Sequence, residues 1–121
     1  MRKDEQHCRT VIIYKNYFPD FFKKQTPKAR DKILWVLKLI EEVEVIPETY
    51  LKHLTGAQGL YEVRVQQGNN IFRIFCFFDD GRLIVLMNGF QKKTQKTPSK
   101  ELSKALIIKK EYDEEKENNN T

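Results

Sequence analysis

The sequence predicts an α+β fold, in which a small antiparallel sheet of about four strands carries an N-terminal helical hairpin on one side and a C-terminal helix. Three observations predict it. Apolar and polar residues alternate with a period of two at positions 61–66, as in a strand with one buried face. Turn-forming residues at positions 68–70 and 79–81 then join three consecutive strands. On both sides of these strands, apolar residues recur every three or four positions, as in amphipathic helices.

Three consecutive strands form the centre of the predicted fold. In the first, the alternation places Glu62 and Arg64 on the same face. The second, residues 71–78, is too apolar for an edge strand and carries a single charge, Arg73. The third covers residues 83–87. Because hairpin-linked strands pair with each other, we expect Arg64 and Arg73 on adjacent antiparallel strands, with both side chains on one sheet face.

A helical hairpin is predicted between a first strand, residues 11–14, and the three consecutive strands, which together form an antiparallel meander. A short helical turn occupies residues 19–25. Thr26 and Pro27 then have the sequence of a helix N-cap followed by proline at the first helical position. The long helix that they begin is predicted to end before Pro47.

All helices are expected on one side of the sheet, which leaves the opposite face free to bind a partner. Leu34 and Trp35 should broaden the buried side of the long helix. Residues 47–60 are predicted to form a loop. A last helix should follow Pro98, with an apolar stripe that Ile107 widens.

Length and composition indicate one domain over residues 1–121, with frayed ends at about 1–9 and 113–121. No apolar run approaches the length of a membrane span, and the N-terminus lacks the apolar core of a secretory signal, so we expect a cytoplasmic protein without membrane contact. Cys8 and Cys76 are too few for a disulfide framework. With two histidines in the whole chain, we expect neither a metal nor a small-molecule cofactor.

The net charge of +5 is unevenly distributed along the chain. Basic residues exceed acidic ones by two in residues 1–50 and by seven in residues 51–110, whereas residues 111–121 carry an excess of four acidic residues. A basic second half favours a polyanionic partner, because phosphate binding releases condensed counterions. A solvated lysine-rich surface is the alternative that charge alone leaves open.

Three motifs in this order, residues 54–64, 70–75 and 86–98, resemble the RelE/ParE superfamily of bacterial type II toxins, and most of all its HigB-like, phage-derived branch. The resemblance covers roughly residues 10–112. It implies a RelE-like fold and a ribosome-dependent mRNA interferase. It also implies that a co-expressed helix-turn-helix antitoxin binds and inhibits the enzyme, and that no cofactor is needed.

The reaction implied by the resemblance is attack of a ribose 2′-hydroxyl on the adjacent phosphate, without a metal. Such a reaction needs a base, cations around the pentacovalent phosphorus and an acid for the leaving oxygen. The family-matching positions are Arg64, Arg73, Phe90, Lys92 and Lys93. We expect the two arginines to bind phosphate. Phe90 either stacks on a splayed RNA base or belongs to the core.

The sequence does not identify the acid and the base that transfer protons. Many relatives of this superfamily place tyrosine or histidine where the chain has Phe90 and Asn88, and phenylalanine cannot exchange a proton. The alternatives are His53, Glu62, or lysines with a lowered pKa in a cationic pocket. Further RNA contacts are expected from three lysines, Lys52, Lys93 and Lys96.

A second class of function is also compatible with the resemblance. ParE-like members of the superfamily inhibit DNA gyrase by binding, and a relative could bind RNA or an antitoxin without cleaving anything. The arginine and lysine set at Arg64, Arg73, Lys92 and Lys93 favours the nuclease, because a gyrase inhibitor does not require it.

Overall fold

The computed structural model describes residues 7–119, which form five strands and three helices. The α+β prediction is confirmed. In chain order the elements are β1 (Thr10–Ile13), α1 (Tyr17–Phe22), α2 (Pro27–Glu42), β2 (Leu51–His53), β3 (Tyr61–Gln67), β4 (Asn70–Asp79), β5 (Leu83–Lys92) and α3 (Ser99–Asn119).

The five strands form one mixed sheet in the order β1-β5-β4-β3-β2. The meander β3-β4-β5 is antiparallel, as predicted, and β4 is its central strand. Two features differ from the expected four-stranded antiparallel sheet. The first strand pairs with β5 in parallel, and residues 51–53 form an edge strand on β3 where a loop was predicted. Three residues are too few to show the alternation of a strand, which is why the sequence did not predict β2. The strand forms because Leu51 is buried and β3 offers a free edge to pair with.

The first hairpin turn has the backbone that its sequence predicts, whereas the second is longer than the two-residue turn that its Asp-Gly sequence predicts. Gln67 pairs with Asn70 across a two-residue turn in which Gly68 has a φ of +61°. Asp79 pairs with Leu83 across a longer turn. The first turn fixes the register of β3 and β4, whereas the register of β4 and β5 shifts at an irregularity between Ile74 and Cys76, before it reaches Arg73.

Helices cover both faces of the sheet, so the prediction that they lie on one side is wrong. One face packs against α1 and α2, and the core there includes Val63, Phe72 and Ile74. The other face packs against α3, through a second cluster that includes Phe75 and Met87. The apolar stripe of α3 needs a partner surface, and the face that was expected to be free supplies it. What remains open is the end of this face that α3 does not cover.

The long helix α2 begins as its sequence predicts. Thr26 is the N-cap, and its hydroxyl accepts a hydrogen bond of 3.2 Å from the backbone N–H of Ala29. Leu34 and Trp35, however, are about half exposed, and in α3 Ile107 is largely exposed. The predicted apolar faces of both helices were therefore too wide.

The C-terminal helix α3 continues to Asn119, so residues 113–119 are helical where fraying was expected. The ammonium of Lys15 binds the carboxylates of Glu111 and Glu115, and Asp79 accepts hydrogen bonds from Tyr112 and Lys116. At the other end of the chain, the Arg9 guanidinium donates hydrogen bonds to three backbone carbonyls at the end of α2 and just beyond it. The expectation of fraying at residues 1–6 and 120–121 falls outside the described residues. None of the helices within residues 7–119 has the length and apolar character of a membrane span.

Gly89 allows α1 to pack directly on β5. A Cβ atom at this position would lie 2.6 to 2.8 Å from three atoms of the buried Phe21 ring. We therefore expect Gly89→Ala to lower the free energy of unfolding by about 1 to 3 kcal/mol, which is the usual cost of overpacking. Urea denaturation measures this loss. In a Phe21→Leu background the same substitution should cost much less, and an equal cost in both backgrounds would contradict this packing.

Candidate functional site

Arg64 and Arg73 lie directly opposite each other on β3 and β4. Cross-strand partners point to the same face, so both arginines share one face of the sheet, as predicted, but this is the face that α3 packs on and not a helix-free one. Arg73 also pairs with Phe90 on β5. The meander thus brings two cations from separate strands together near the end of the sheet that α3 leaves open.

Glu62 lies between the two arginines. Its Oε1 atom is 3.5 Å from Nε of Arg64 and 3.6 Å from Nε of Arg73. Glu62 is only 4% exposed, and its Oε2 atom has no hydrogen-bond partner among the described residues. A buried carboxylate attracts the Nε side of each of the two guanidinium groups that it faces. It is better placed to orient the arginines than to reach an RNA hydroxyl.

Arg73 is the more deeply buried of the two arginines, with 8% of its surface exposed. Burial lowers the pKa of its guanidinium and the nearby Arg64 lowers it further, while Glu62 raises it. An arginine still keeps its charge at neutral pH. Its Nη1 donates a 3.0 Å hydrogen bond to the backbone carbonyl of Phe72, but its Nε has no hydrogen-bond partner in the described part of the chain. A buried charge that is only partly satisfied costs folding free energy, which makes Arg73 a candidate for the functional site.

A cleft of about 480 Å³ opens over these arginines at the C-terminal end of β5. We call it the strand-end cleft. Four of its lining side chains are cationic and the described residues contribute no carboxylate to it. It is lined by Arg64, Ile71, Arg73, Lys92, Lys93, Thr94 and Gln95. A cleft with this charge and two forked guanidinium groups suits a phosphodiester.

Phe90 does not line the cleft. The strand β5 continues to Lys92, beyond the predicted end at residue 87, so Phe90 lies within the strand and is only 8% exposed. Its ring packs against Phe75 with 5.5 Å between centroids. The core interpretation of Phe90 is therefore confirmed, and the buried ring offers no free face for a base. The buried Asn88 amide donates hydrogen bonds to Glu101 and so holds the start of α3.

Three other predicted residues lie away from the strand-end cleft. His53 pairs with Tyr61, packs on its ring and therefore lies on the α1-α2 face, opposite the arginines. Lys52 pairs with Glu62 and shares the arginine face, but it is exposed at the edge strand. Lys96 belongs to the loop after β5 and does not line the cleft. The structure thus groups Arg64, Arg73, Lys92 and Lys93, and separates them from His53.

Two residues that the sequence analysis did not select lie beside the arginines. Lys32 of α2 and Tyr50, just before β2, line a second cleft of about 390 Å³ together with Arg64 and Arg73. Chain folding brings them there, because α2 packs on β3 and the backbone N–H of Arg64 donates a 2.8 Å hydrogen bond to the Tyr50 carbonyl. A tyrosine before a strand and a lysine in a helix carry no sequence signal of such proximity.

The contacts of Glu62 make a prediction about stability. Glu62→Gln leaves the buried Arg73 charge without its counter-charge, so the free energy of unfolding should fall by about 3 kcal/mol. The exposed Glu48 provides the matched control, and Glu48→Gln should change stability by less than about 0.5 kcal/mol. Chemical denaturation measures both. In an Arg73→Met background the cost of Glu62→Gln should shrink to less than half, and an undiminished cost would contradict the pairing.

The fold and the site together define a class of protein: a small α+β protein with a cationic cleft at one end of its sheet. A comparison with protein families places the chain more narrowly. The family model described as "Phage derived protein Gp49-like (DUF891)" matches residues 20–110, and the chain belongs to this family. The match contains all of β2 to β5 and therefore both arginines. No curated protein matches the chain.

Proposed function

We propose that this protein is the toxin of a type II toxin-antitoxin system, a RelE/ParE-superfamily endoribonuclease of the HigB-like branch that cuts mRNA on the ribosome. The observation that carries the proposal is the strand-end cleft, where Arg64 and Arg73 lie side by side with Lys92 and Lys93, and no described carboxylate lines the cleft. The family match supports a phage-derived origin. The three motifs at residues 54–64, 70–75 and 86–98 support the superfamily.

The proposed reaction uses the ribose 2′-hydroxyl as nucleophile. Its oxygen forms a bond to the adjacent phosphorus and loses its proton to a base, and the bond to the 5′-oxygen of the next nucleotide breaks as that oxygen gains a proton. The products are a 2′,3′-cyclic phosphate and a 5′-hydroxyl end. Arg64 and Arg73 stabilise the additional negative charge on the phosphoryl oxygens in the transition state. Glu62 holds the two guanidinium groups in position.

Lysine is the proton carrier that the cleft offers. Arginine does not release its proton at neutral pH. Among the described residues that line the strand-end cleft, the other side chains that can gain and lose a proton are Lys92 and Lys93. Phe90 is buried, and His53 lies on the other face. We therefore assign proton transfer to Lys92, with Lys93 as an additional phosphate contact. Lys92 pairs with Ile71 on β4, and both residues line the cleft.

The proposed partners follow from the charge of the site. A helix-turn-helix antitoxin that presents an acidic segment would neutralise the strand-end cleft and block access of RNA. The ribosome and its bound mRNA are the proposed substrate assembly, in the cytoplasm. Co-production with the product of the neighbouring reading frame should yield a tight complex if that frame encodes the antitoxin.

Primer extension on a translated message tests the proposal. The wild-type protein should produce new 5′ ends within the coding region when ribosomes are present, and should arrest growth when it is overproduced. Because the proposed enzyme cuts mRNA on the ribosome, the same RNA without ribosomes should be cut far less. If the protein cuts no message and its overproduction is harmless, the proposal is wrong.

A second candidate function is binding without cleavage. It is favoured by the described lining of the strand-end cleft, which contains no histidine, tyrosine, aspartate or glutamate to transfer a proton. A ParE-like inhibitor of DNA gyrase would lack nuclease activity and inhibit supercoiling. The supercoiling assay, run with the same preparation as the primer extension, distinguishes the two candidates.

A further inference from the structure

The cleft that Lys32 and Tyr50 share with the arginines has no assigned role so far. We call it the edge cleft, because β2 pairs with β3 only as far as Val63 and leaves the rest of β3 at the edge of the sheet. It is lined by Lys32, Thr49, Tyr50, Arg64, Val65, Gln66 and Arg73. Among the described residues of this lining, three are cationic and none is acidic.

Lys32, Trp35 and Tyr50 form a connected wall beside this cleft. The Lys32 ammonium lies 4.6 Å from the centroid of the Trp35 ring, and the Trp35 and Tyr50 rings are 5.7 Å apart at 67°. Trp35 is 49% exposed, and Tyr50 is partly buried against the core while it also lines the cleft. Within residues 7–119, Lys32 forms no ion pair with a carboxylate. Its charge is therefore available to an anion.

The edge cleft shares two lining residues, Arg64 and Arg73, with the strand-end cleft. Arg64 and Arg73 line both clefts, with Lys92 and Lys93 on one side and Lys32 and Tyr50 on the other. A polyanionic chain that places one phosphate on the arginines therefore has further cations in each of the two clefts. A single phosphate would need only one of the two clefts.

We propose that the edge cleft binds the nucleotide adjacent to the scissile phosphate in a single-stranded RNA. Lys32 contacts the phosphate of that nucleotide, and the ring of Tyr50, supported by Trp35, contacts its base. This inference rests on the proposed function, because it takes the arginines as the place where the scissile phosphate binds. It extends the site from one phosphate to at least two successive nucleotides.

The composition of the edge cleft favours RNA over an acidic peptide. An acidic peptide would be held by the cations alone, whereas a single-stranded nucleic acid also uses aromatic rings, on which its bases stack. The edge cleft supplies both kinds of group within one wall. Proteins that bind single-stranded nucleic acid with little sequence preference combine cations that bind the phosphates with aromatic rings that stack on the bases.

The test measures binding of a short fluorescently labelled single-stranded oligoribonucleotide to the full chain at several salt concentrations. Lys32→Ala should weaken binding and lower the slope of log K against log salt by about 0.7, the value for one phosphate contact on a single strand. Lys38→Ala is the matched control, since Lys38 is an exposed lysine of the same helix and lines neither cleft. It should leave the slope unchanged. Tyr50→Ala should weaken binding by about tenfold, whereas Tyr50→Phe, which keeps the ring, should not.

The outcomes separate this inference from the proposed function. If the wild-type protein cleaves a translated message and binds the oligonucleotide, but Lys32→Ala and Lys38→Ala behave alike, the edge cleft is not an RNA site and the nuclease proposal stands. Equal losses in Tyr50→Ala and Tyr50→Phe would overturn the ring contact. If Lys32→Ala weakens binding of an acidic antitoxin peptide and leaves RNA binding unchanged, the cleft is a protein-binding site and the inference is wrong. If the wild-type protein neither cleaves nor binds any RNA, both proposals are wrong.

Discussion

Replacing Arg73 by alanine is expected to lower the rate of RNA cleavage by about 10²- to 10³-fold, while RNA affinity falls by less than about tenfold. The reason is that Arg73 lies at a buried position beside Arg64 and Glu62, where a fixed charge stabilises the transition state far more strongly than it would in water. A group that acts on charge developed only in the transition state changes the rate more than the binding. Single-turnover cleavage and equilibrium binding of the same message measure the two quantities separately.

Two variants accompany Arg73→Ala. Lys104→Ala removes an exposed positive charge on α3, away from both clefts, and should leave the cleavage rate within about twofold of wild type because it removes only diffuse attraction. Arg73→Lys keeps the charge but loses the planar fork, so it should recover only part of the rate. If Arg73→Ala reduces affinity and rate by the same factor, the guanidinium binds the ground state and its proposed role in the transition state is wrong.

Lys92→Arg is expected to lower the cleavage rate by about 10²-fold or more, because it keeps the positive charge and removes the ability to exchange a proton. RNA affinity should stay close to the wild-type value. Lys93→Arg is the matched control. The adjacent lysine lines the same cleft and is proposed to act by charge alone, so arginine should replace it with less than about threefold loss of rate.

The pH dependence of the reaction distinguishes the two lysines further. If Lys92 transfers a proton, the limb of the pH-rate profile that it causes should disappear in Lys92→Arg and remain in Lys93→Arg. Rates measured over a range of pH with saturating protein would show this directly. A Lys92→Arg variant with full activity would contradict the assignment and would leave the proton carrier to be sought in the edge cleft, where Tyr50 is the candidate.

The part of the fold that sequence specifies locally was predictable. The turn at residues 68–70 joins β3 to β4, so the sequence predicted Arg64 and Arg73 on adjacent antiparallel strands with a shared face, whereas their direct opposition depends on the register that the structure shows. The N-cap at Thr26 likewise fixes the start of α2. In each case the signal lies within a few residues of the feature that it determines.

Features that depend on distant contacts were not predictable in the same way. The burial of Phe90 depends on β5 continuing past Gly89, where α1 approaches the backbone, and no local pattern encodes that approach. The face occupied by His53 depends on the register of a three-residue strand, and a shift of one residue would reverse it. Lys32 and Tyr50 come to the arginines through packing of α2 on β3, across many residues of sequence.

The chemistry of the cut ends is the measurement that tests the central claim most directly. A message cut on the ribosome by the wild-type protein, in the presence of a metal chelator at a concentration that leaves ribosomes intact, should carry a 2′,3′-cyclic phosphate on the upstream fragment and a 5′-hydroxyl on the downstream fragment. These ends arise only if the 2′-hydroxyl attacks the phosphate, and Arg73→Ala should abolish them within the same time. Fragments with a 3′-hydroxyl and a 5′-phosphate, or no fragments from a preparation that inhibits gyrase supercoiling, would contradict a nuclease built around Arg64 and Arg73.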